Sequence, residues 1–419
     1  MARTLDVYLH RNLVGCLIQD DHGELMFEYR ETWLNDPNAV PVSQSLPLRK
    51  ERYARRACRG FFGGILPEGD KREVLAKNLG ISAKNDFAML EEIGGECAGA
   101  ITFLCAQEPL PEHEERYRTL SDTELESLLE MLPRRPLLAG EDDVRLSLAG
   151  AQDKIAVYIA DSRISIPLGG APSTHILKPA IERFAGVVFN ESFCMKLAQA
   201  VGVPTAKTQI GSIRGIDYLL VERYDRIRIG AHSLQRLHQE DFCQALGIVS
   251  ENKYQKEGGP SLEQCFRLVR ETSSVPAIDL LSLLDAVIFN FLIGNNDAHG
   301  KNFSLLYRRV ADGGVRLAPC YDLLSTVQYP ELSEKMAMKI GGEYVSSKVS
   351  PKNFDQLARE AGLGVPLVKR RVPELATAIL ANLPAVSSKH SMPNECSTAN
   401  EVAALIRSRC ERIIQKFNE

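Results

Sequence analysis

Residues 295–302 read Asn295-Asn296-Asp297-Ala298-His299-Gly300-Lys301-Asn302, and this polar run constrains the fold more than any other stretch. It follows directly on an apolar segment, 278–293, in which Leu281, Leu284, Ile288, Phe291 and Leu292 recur at the spacing of one helical face. After it come two short apolar segments, 303–309 and 315–318, flanking Ala311-Asp312-Gly313-Gly314, which is hairpin-turn chemistry. Pro319-Cys320-Tyr321-Asp322 follows at once. A hairpin folds back on itself, so Asp322 is expected to return to the neighbourhood of Asn302.

Three readings compete for the polar run. It is a plain helix-to-strand connection rich in turn formers, or a metal-hydrolase cluster using Asp297 and His299, or the Asp-x-x-x-x-Asn spacing of a kinase catalytic loop. In the last, the Asp orients or deprotonates an attacking hydroxyl and the Asn holds magnesium. The context favours this reading, because a kinase carries its second metal-binding Asp after such a hairpin. A carboxylate and an amide oxygen at that point can share a hard cation. The plainer account of Asp322 is a strand-end turn residue.

Phosphoryl transfer also needs cations on the phosphates. Lys178 ends the apolar strand candidate His175-Ile176-Leu177-Lys178, where a kinase places its phosphate-binding lysine; the plainer account is a solvated edge residue. Upstream, Arg145-Leu146-Ser147-Leu148-Ala149-Gly150-Ala151-Gln152-Asp153-Lys154 has small residues that let backbone N–H groups approach phosphate oxygens. It is neither a Walker A loop nor a G-x-G-x-x-G loop, and by pattern alone it is also an ordinary turn. Val221-Glu222-Arg223-Tyr224 leaves the β-rich half for the helical half, and its backbone could pair with an adenine edge.

The rest of the chain gives the organisation. Strands are expected around Leu5, Val7 and Leu9, then at 14–18 and 25–29 across the turn Asp20-Asp21-His22-Gly23. Ser121-Asp122-Thr123-Glu124 is a capping box ahead of Leu125, Leu128, Leu129 and Leu132, and Pro133 and Pro136 close that helix. A domain boundary is expected there, at 133–140. Strands follow at 154–159 and 175–178 around the turn Pro167-Leu168-Gly169-Gly170, then a helix at 189–201 and a hairpin at 207–223. Helices dominate from residue 240, and the polar stretch 387–400 reads as an exposed loop.

A length of 419 residues predicts two or three domains, and 44% apolar with 25% charged residues excludes a disordered or fibrous chain. A net charge of −4 argues against a surface that coats nucleic acid. The N-terminus lacks the pattern of a signal peptide. The best apolar stretch, 286–296, is too short to span a bilayer, so the expectation is a cytoplasmic protein without a membrane partner. Ten scattered cysteines form no Cys-x-x-Cys pair, so no zinc site is expected. Two basic segments stand out: Arg49, Lys50, Arg52, Arg55, Arg56 and Arg59, partly at helical spacing, and Lys369-Arg370-Arg371. Each reads first as a solvated helix face, or else as a phosphate-anchoring patch.

Taken together these residues resemble the HipA family of toxin serine/threonine kinases. The resemblance spans nearly the whole chain and adds Ser43-Gln44-Ser45-Leu46-Pro47-Leu48 and Phe61-Phe62-Gly63-Gly64-Ile65-Leu66-Pro67-Glu68-Gly69 to the motifs above. It implies an α+β fold: a two-lobed, protein-kinase-like body related to phosphoinositide kinases, with an extra N-terminal α/β subdomain (1–135), an N-lobe (136–226) and a mainly helical C-lobe (227–419). It implies an ATP- and magnesium-dependent, non-specific serine/threonine protein kinase. Asp297 would be the catalytic Asp; Asn302 and Asp322 would hold Mg2+. Lys178 would contact the nucleotide phosphates, and Ala149, Gly150, Ala151, Gln152, Asp153 and Lys154 would form the phosphate loop. Glu222, Arg223 and Tyr224 would form the hinge, with Tyr224 where Phe is common. His299, Gly300, Lys301 and Tyr321 would line the nucleotide site. Ser147 would be the self-inhibitory autophosphorylation site. The implied partners are a HipB-like helix-turn-helix antitoxin, a protein substrate of the aminoacyl-tRNA synthetase class, and operator DNA, reached mainly through the antitoxin with help from Lys369, Arg370 and Arg371. The rivals are a catalytically silent corepressor and a kinase of a small molecule or lipid on the same fold.

Overall fold

The computed structural model describes residues 2–106, 108, 110, 116–229, 233–308, 313–388 and 393–419. The first 105 residues build a five-stranded antiparallel sheet in the order Tyr53–Ala54, Leu25–Tyr29, Asn12–Gln19, Arg3–Leu9, Ile101–Cys105. The alternation of Leu5, Val7 and Leu9 puts those side chains into the core, as the period of a strand requires.

A second, six-stranded sheet runs Thr208–Ile213, Ile216–Glu222, His175–Pro179, Ile155–Ala160, Arg163–Leu168, Arg116–Thr119. Its last strand precedes residue 135 in the chain, so sheet and sequence do not divide at the same point. Pro167, expected in a turn, instead lies in the strand Arg163–Leu168 opposite Tyr117; only Gly169 and Gly170, at φ 58° and 79°, make the turn. Pro is tolerated in strands where no ladder N–H is needed.

This second sheet is the wall between two cores. In the strand Ile216–Glu222, Tyr218 and Leu220 face the N-terminal core, while Leu219 and Val221 face the helical core. A period of two on a sheet covered on both faces produces this sharing. The helix Val187–Ala200 lies against the sheet on the helical side and ends before Gly202, at φ 81°. The helix Pro276–Ile293 runs through the centre of the second lobe, starts on its proline, and ends on left-handed Gly294.

Several expectations need correcting. Leu281 is 44% exposed and does not share the buried face, because the first turns of that helix reach the surface. The apolar stretch is also longer than 286–296: the 18-residue helix is apolar enough to cross a membrane, yet 61% of it is buried in the protein. The basic residues 49–55 are not helical, since the helix begins only at Arg56 and ends at Phe62. The stretch 387–400 is no single loop: one helix, Val365–Ser387, runs up to it and another, Pro393–Asn418, starts within it, with Ala399 buried. Residues 389–392 lie outside the described residues, as do Ala311 and Asp312 of the expected hairpin turn. The strands beside that turn, Ser304–Tyr307 and Val315–Leu317, do pair.

Candidate active site

A cleft of about 770 Å3 opens between the two lobes. The strand His175–Pro179 delivers Lys178 to it, buried to 4% exposure. Its Nζ lies 2.7 Å from Glu191 Oε1 on the helix Val187–Ala200 and also bonds Asp322. Burial alone would disfavour the ammonium, but Asp322 and Glu191 outweigh it and lift its pKa above the ordinary lysine range. Burial likewise opposes the Asp322 carboxylate, yet Lys178 and Lys154 hold it down to about 2. Glu191 goes the other way: burial raises it despite the pull of Lys178.

The hairpin returns Asp322 to Asn302 as expected, with Asn302 Nδ2 3.4 Å from Asp322 Oδ2. Asp322 sits at φ 53°, a left-handed backbone that Asp tolerates better than most side chains. The side-chain oxygen of Asn302 accepts from the His299 N–H at 3.1 Å, so sharing a cation with Asp322 would require the amide to turn. Among the described residues no group of three or more His, Cys, Asp or Glu gathers as a cage. Magnesium needs none, since it keeps waters and phosphate oxygens beside one or two protein ligands, and an ionised Asp322 beside Asn302 fits that demand.

Asp297 is exposed at the cleft mouth, in the loop after the central helix. Asn295 Oδ1 accepts its N–H at 3.2 Å, and its Oδ1 accepts from the Tyr254 hydroxyl at 2.7 Å. His299 is buried beside it; burial pushes the imidazole down to about 4, so it is neutral near pH 7.

The small-residue loop forms the roof. Gly150 has φ 113°, a backbone conformation that side-chain-bearing residues rarely adopt, so the position calls for glycine. Lys154 Nζ reaches back to Ala149 O at 2.9 Å. The loop is held from the N-terminal subdomain: Pro67 bridges Gly150, and the Glu68 N–H donates to Gly150 O at 3.2 Å. Ser147 has 0% exposure; its hydroxyl donates to Ile65 O at 3.0 Å and its N–H to Glu96 O at 2.9 Å. It is therefore no surface serine.

Ala149, Gly150, Ala151, Gln152, Lys154, Lys178, Glu222, Arg223, Tyr224, His299, Lys301 and Tyr321 all line the cleft, with Asp297, Asn302 and Asp322. Asp153 and Gly300 do not. Asp153 turns away to pair with Lys71 at 2.7 Å, and a side chain at Gly300 would meet Pro260 and Cys243. The Arg223 guanidinium is committed elsewhere, to Asp225 at 2.8 Å and Glu96 at 3.2 Å. Its backbone N–H already donates to Thr174 O at 2.9 Å, as that of Glu222 does to Lys207 O at 2.9 Å, so neither donor is open to an adenine edge. The Lys301 ammonium is likewise bound, to Asp241 at 2.6 Å and Gly64 O at 3.0 Å, tying the N-terminal subdomain to the helical lobe. Tyr224 and Tyr321 stack at 5.9 Å. On the far helix Lys369 pairs with Asp355 at 3.1 Å, Arg370 with Glu374 at 3.3 Å, and Arg371 grips Asp285 at 2.6 and 2.8 Å, so none of the three is a free cation.

Sequence reasoning missed Glu191, Glu68 and Tyr254. A lone Glu on an otherwise apolar, uncharged helix face was the signal for Glu191. Tyr254 carried none.

The HipA N-terminal domain model matches residues 5–104 and the HipA-like C-terminal domain model residues 146–385. Y4mE of Sinorhizobium fredii, named as a kinase, is 49% identical over 378 residues, 89% of each chain. The serine/threonine-protein kinase toxin HipA of Shewanella oneidensis is 28% identical over 438 residues, covering 99% of this chain and 97% of that one. Among solved structures, HipA in the Shewanella oneidensis complex of HipA, HipB and operator DNA superposes with a TM-score of 0.87 at 27% identity, over 99% and 98% of the two chains. The two-lobed α+β, kinase-like body is shared with that toxin.

Proposed function

This chain belongs to the HipA family, and from that premise we propose that it is an ATP- and magnesium-dependent serine/threonine protein kinase, the toxin of a bacterial toxin–antitoxin pair. One observation carries the reading: Lys178, Asp322, Asn302 and Asp297 converge on a single interlobe cleft under a glycine-bearing loop. Lys178, oriented by Glu191, is the phosphate contact, and Tyr224 and Tyr321 flank the base. Magnesium, when bound at Asp322 and Asn302, supplies neutralisation of charge on the phosphates. Asp297 takes the proton of an acceptor hydroxyl; the acceptor oxygen bonds to the γ-phosphorus, the bond to the bridging oxygen breaks, and ADP leaves.

The family resemblance supports a HipB-like antitoxin as partner and a translation-related protein, such as an aminoacyl-tRNA synthetase, as substrate. It also supports Ser147 as the phosphosite that switches the enzyme off. The division into 1–135, 136–226 and 227–419 remains our reading of the chain. Contact with operator DNA runs mainly through the antitoxin, with Lys369, Arg370 and Arg371, each ion-paired within the chain, as an auxiliary contact at most. The test is phosphoryl transfer from γ-labelled ATP by wild type and Asp297→Asn. Loss of transfer with nucleotide binding retained is expected; a wild-type rate for Asp297→Asn overturns the assignment. Transfer to a lipid or small molecule but to no protein would favour the rival kinase reading.

A further inference from the structure

The Tyr254 hydroxyl donates to Asp297 Oδ1 at 2.7 Å. Asp297 is exposed at the cleft mouth, so a fixed donor on one of its oxygens has a consequence for the other. A free carboxylate turns about its Cβ–Cγ bond; one held at Oδ1 presents Oδ2 in a defined direction.

Tyr254 is itself immobilised from both sides. Its carbonyl accepts from the Glu257 and Gly259 N–H groups, each at 2.9 Å. Its neighbour Lys253 reaches Glu68 Oε2 at 2.9 Å, and on the other side Gln255 Oε1 accepts from the Lys339 N–H at 2.9 Å. The ring meets His299 edge-on at 5.4 Å. Burial, reinforced by Asp297, raises the phenol, so it remains a donor across the working pH range.

We propose that Tyr254 is a positioning residue for phosphoryl transfer: its hydroxyl fixes Asp297 through Oδ1 and leaves Oδ2 to receive the acceptor hydroxyl. The inference rests on Asp297 acting on the acceptor. Tyr254 touches neither nucleotide nor acceptor in this scheme, so it acts on the rate of transfer and not on ATP binding.

The test uses the full chain, with transfer of label from γ-labelled ATP to casein, to the chain itself and to water. Wild type, Tyr254→Phe, Asp297→Asn and the double variant are compared, with thermal unfolding as a check that each is folded. Tyr254→Phe keeps the ring and removes only the hydroxyl. The expected result is a kcat lower by about 10- to 100-fold with KM for ATP within about twofold. On the Asp297→Asn background the same change should add nothing to the residual loss. If Asp297→Asn is impaired while Tyr254→Phe works at the wild-type rate, the positioning role is overturned and the kinase reading survives. Independent, additive losses also overturn it. A faster Tyr254→Phe would make the tyrosine a plug over the acceptor position, which contradicts the proposal. A wild-type rate for Asp297→Asn, or no transfer by the wild type to any acceptor, removes the premise, a failure distinct from the others.

Discussion

Lys178 stands between the buried Glu191 and the part-exposed Asp322, and Asp322 is held ionised largely because of it. Lys178→Met would leave Glu191 and Asp322 facing each other without that cation, and removing one partner from a buried ion pair costs about 3–5 kcal/mol. The variant should unfold at lower denaturant concentration and bind ATP poorly; an unchanged denaturation midpoint would show that the pair stores little. Asp322→Ala should weaken magnesium-dependent nucleotide binding more than Asn302→Ala, because only Asp322 brings a full charge to the cation. Titration calorimetry with a non-hydrolysable ATP analogue measures both, and equal affinity with and without magnesium in the wild type would end the metal-bridge argument. These residues were legible in the sequence because their spacing sits inside contiguous motifs. The partners of Glu191 and Tyr254 were not, since they lie 13 and 43 positions away.

At the scale of elements, the phosphate loop is a strap buttoned onto the N-terminal subdomain at Ser147 and Gly150. A phosphate on Ser147 would bring nearly two negative charges into a site with 0% exposure. The loop could not keep its bond to Ile65 O and would have to swing out. Mass spectrometry of the chain expressed alone should find phosphate on Ser147, and the Asp297→Asn form should lack it. The modified protein should bind ATP more weakly; undiminished affinity would refute ejection. The basic turn of the helix Val365–Ser387 makes the opposite prediction from its sequence. Replacing Lys369, Arg370 and Arg371 together with Ala should barely change the salt dependence of operator binding by an antitoxin complex, since each of the three already has a carboxylate partner on this chain. The same variant should lose about 1 kcal/mol or less of stability, mostly through Arg371 and Asp285. A salt slope lowered by about two or three would restore the DNA-contact reading.

Across the whole molecule, two further buried polar joints, beside the Lys301 strut to Gly64 O, fasten the N-terminal subdomain to the kinase-like body. In one, Glu96 meets Arg223, Arg226 and Arg236, and burial is outweighed by those guanidiniums, which hold its carboxyl down to about 2. In the other, Glu240 receives hydrogen bonds from Ser43, the Gln44 N–H and Tyr307, and burial raises its pKa to about 7. A folded-state pKa above the unfolded value means that the folded form holds the extra proton between the two. This contribution is fully present below about 4.5, the unfolded value, and is lost as pH rises through about 7. Glu240→Gln should therefore flatten the fall in stability between about pH 4.5 and 7, by roughly 1–3 kcal/mol across that window. Denaturant melts at stepped pH would read it, and parallel curves for wild type and variant would remove Glu240 from the account.

The sequence alone determined the polar loop after the central helix, the hairpin that returns Asp322, the strand that ends in Lys178, and the glycine that the phosphate loop needs. Each is encoded by local spacing, alternation or turn chemistry, which act over a few residues. Tertiary structure decided what those side chains touch. It set Glu191 on Lys178 and Tyr254 on Asp297, committed the Arg223 and Lys301 cations to struts between domains, and turned Asp153 outward to Lys71. It also moved residues 393–400 from an expected loop into a helix, where Ala399 finds a buried place. The physical reason is the same in each case. A charge or an apolar methyl has no fixed partner until the chain folds, and once water is stripped away the cost of a wrong partner outweighs any local preference.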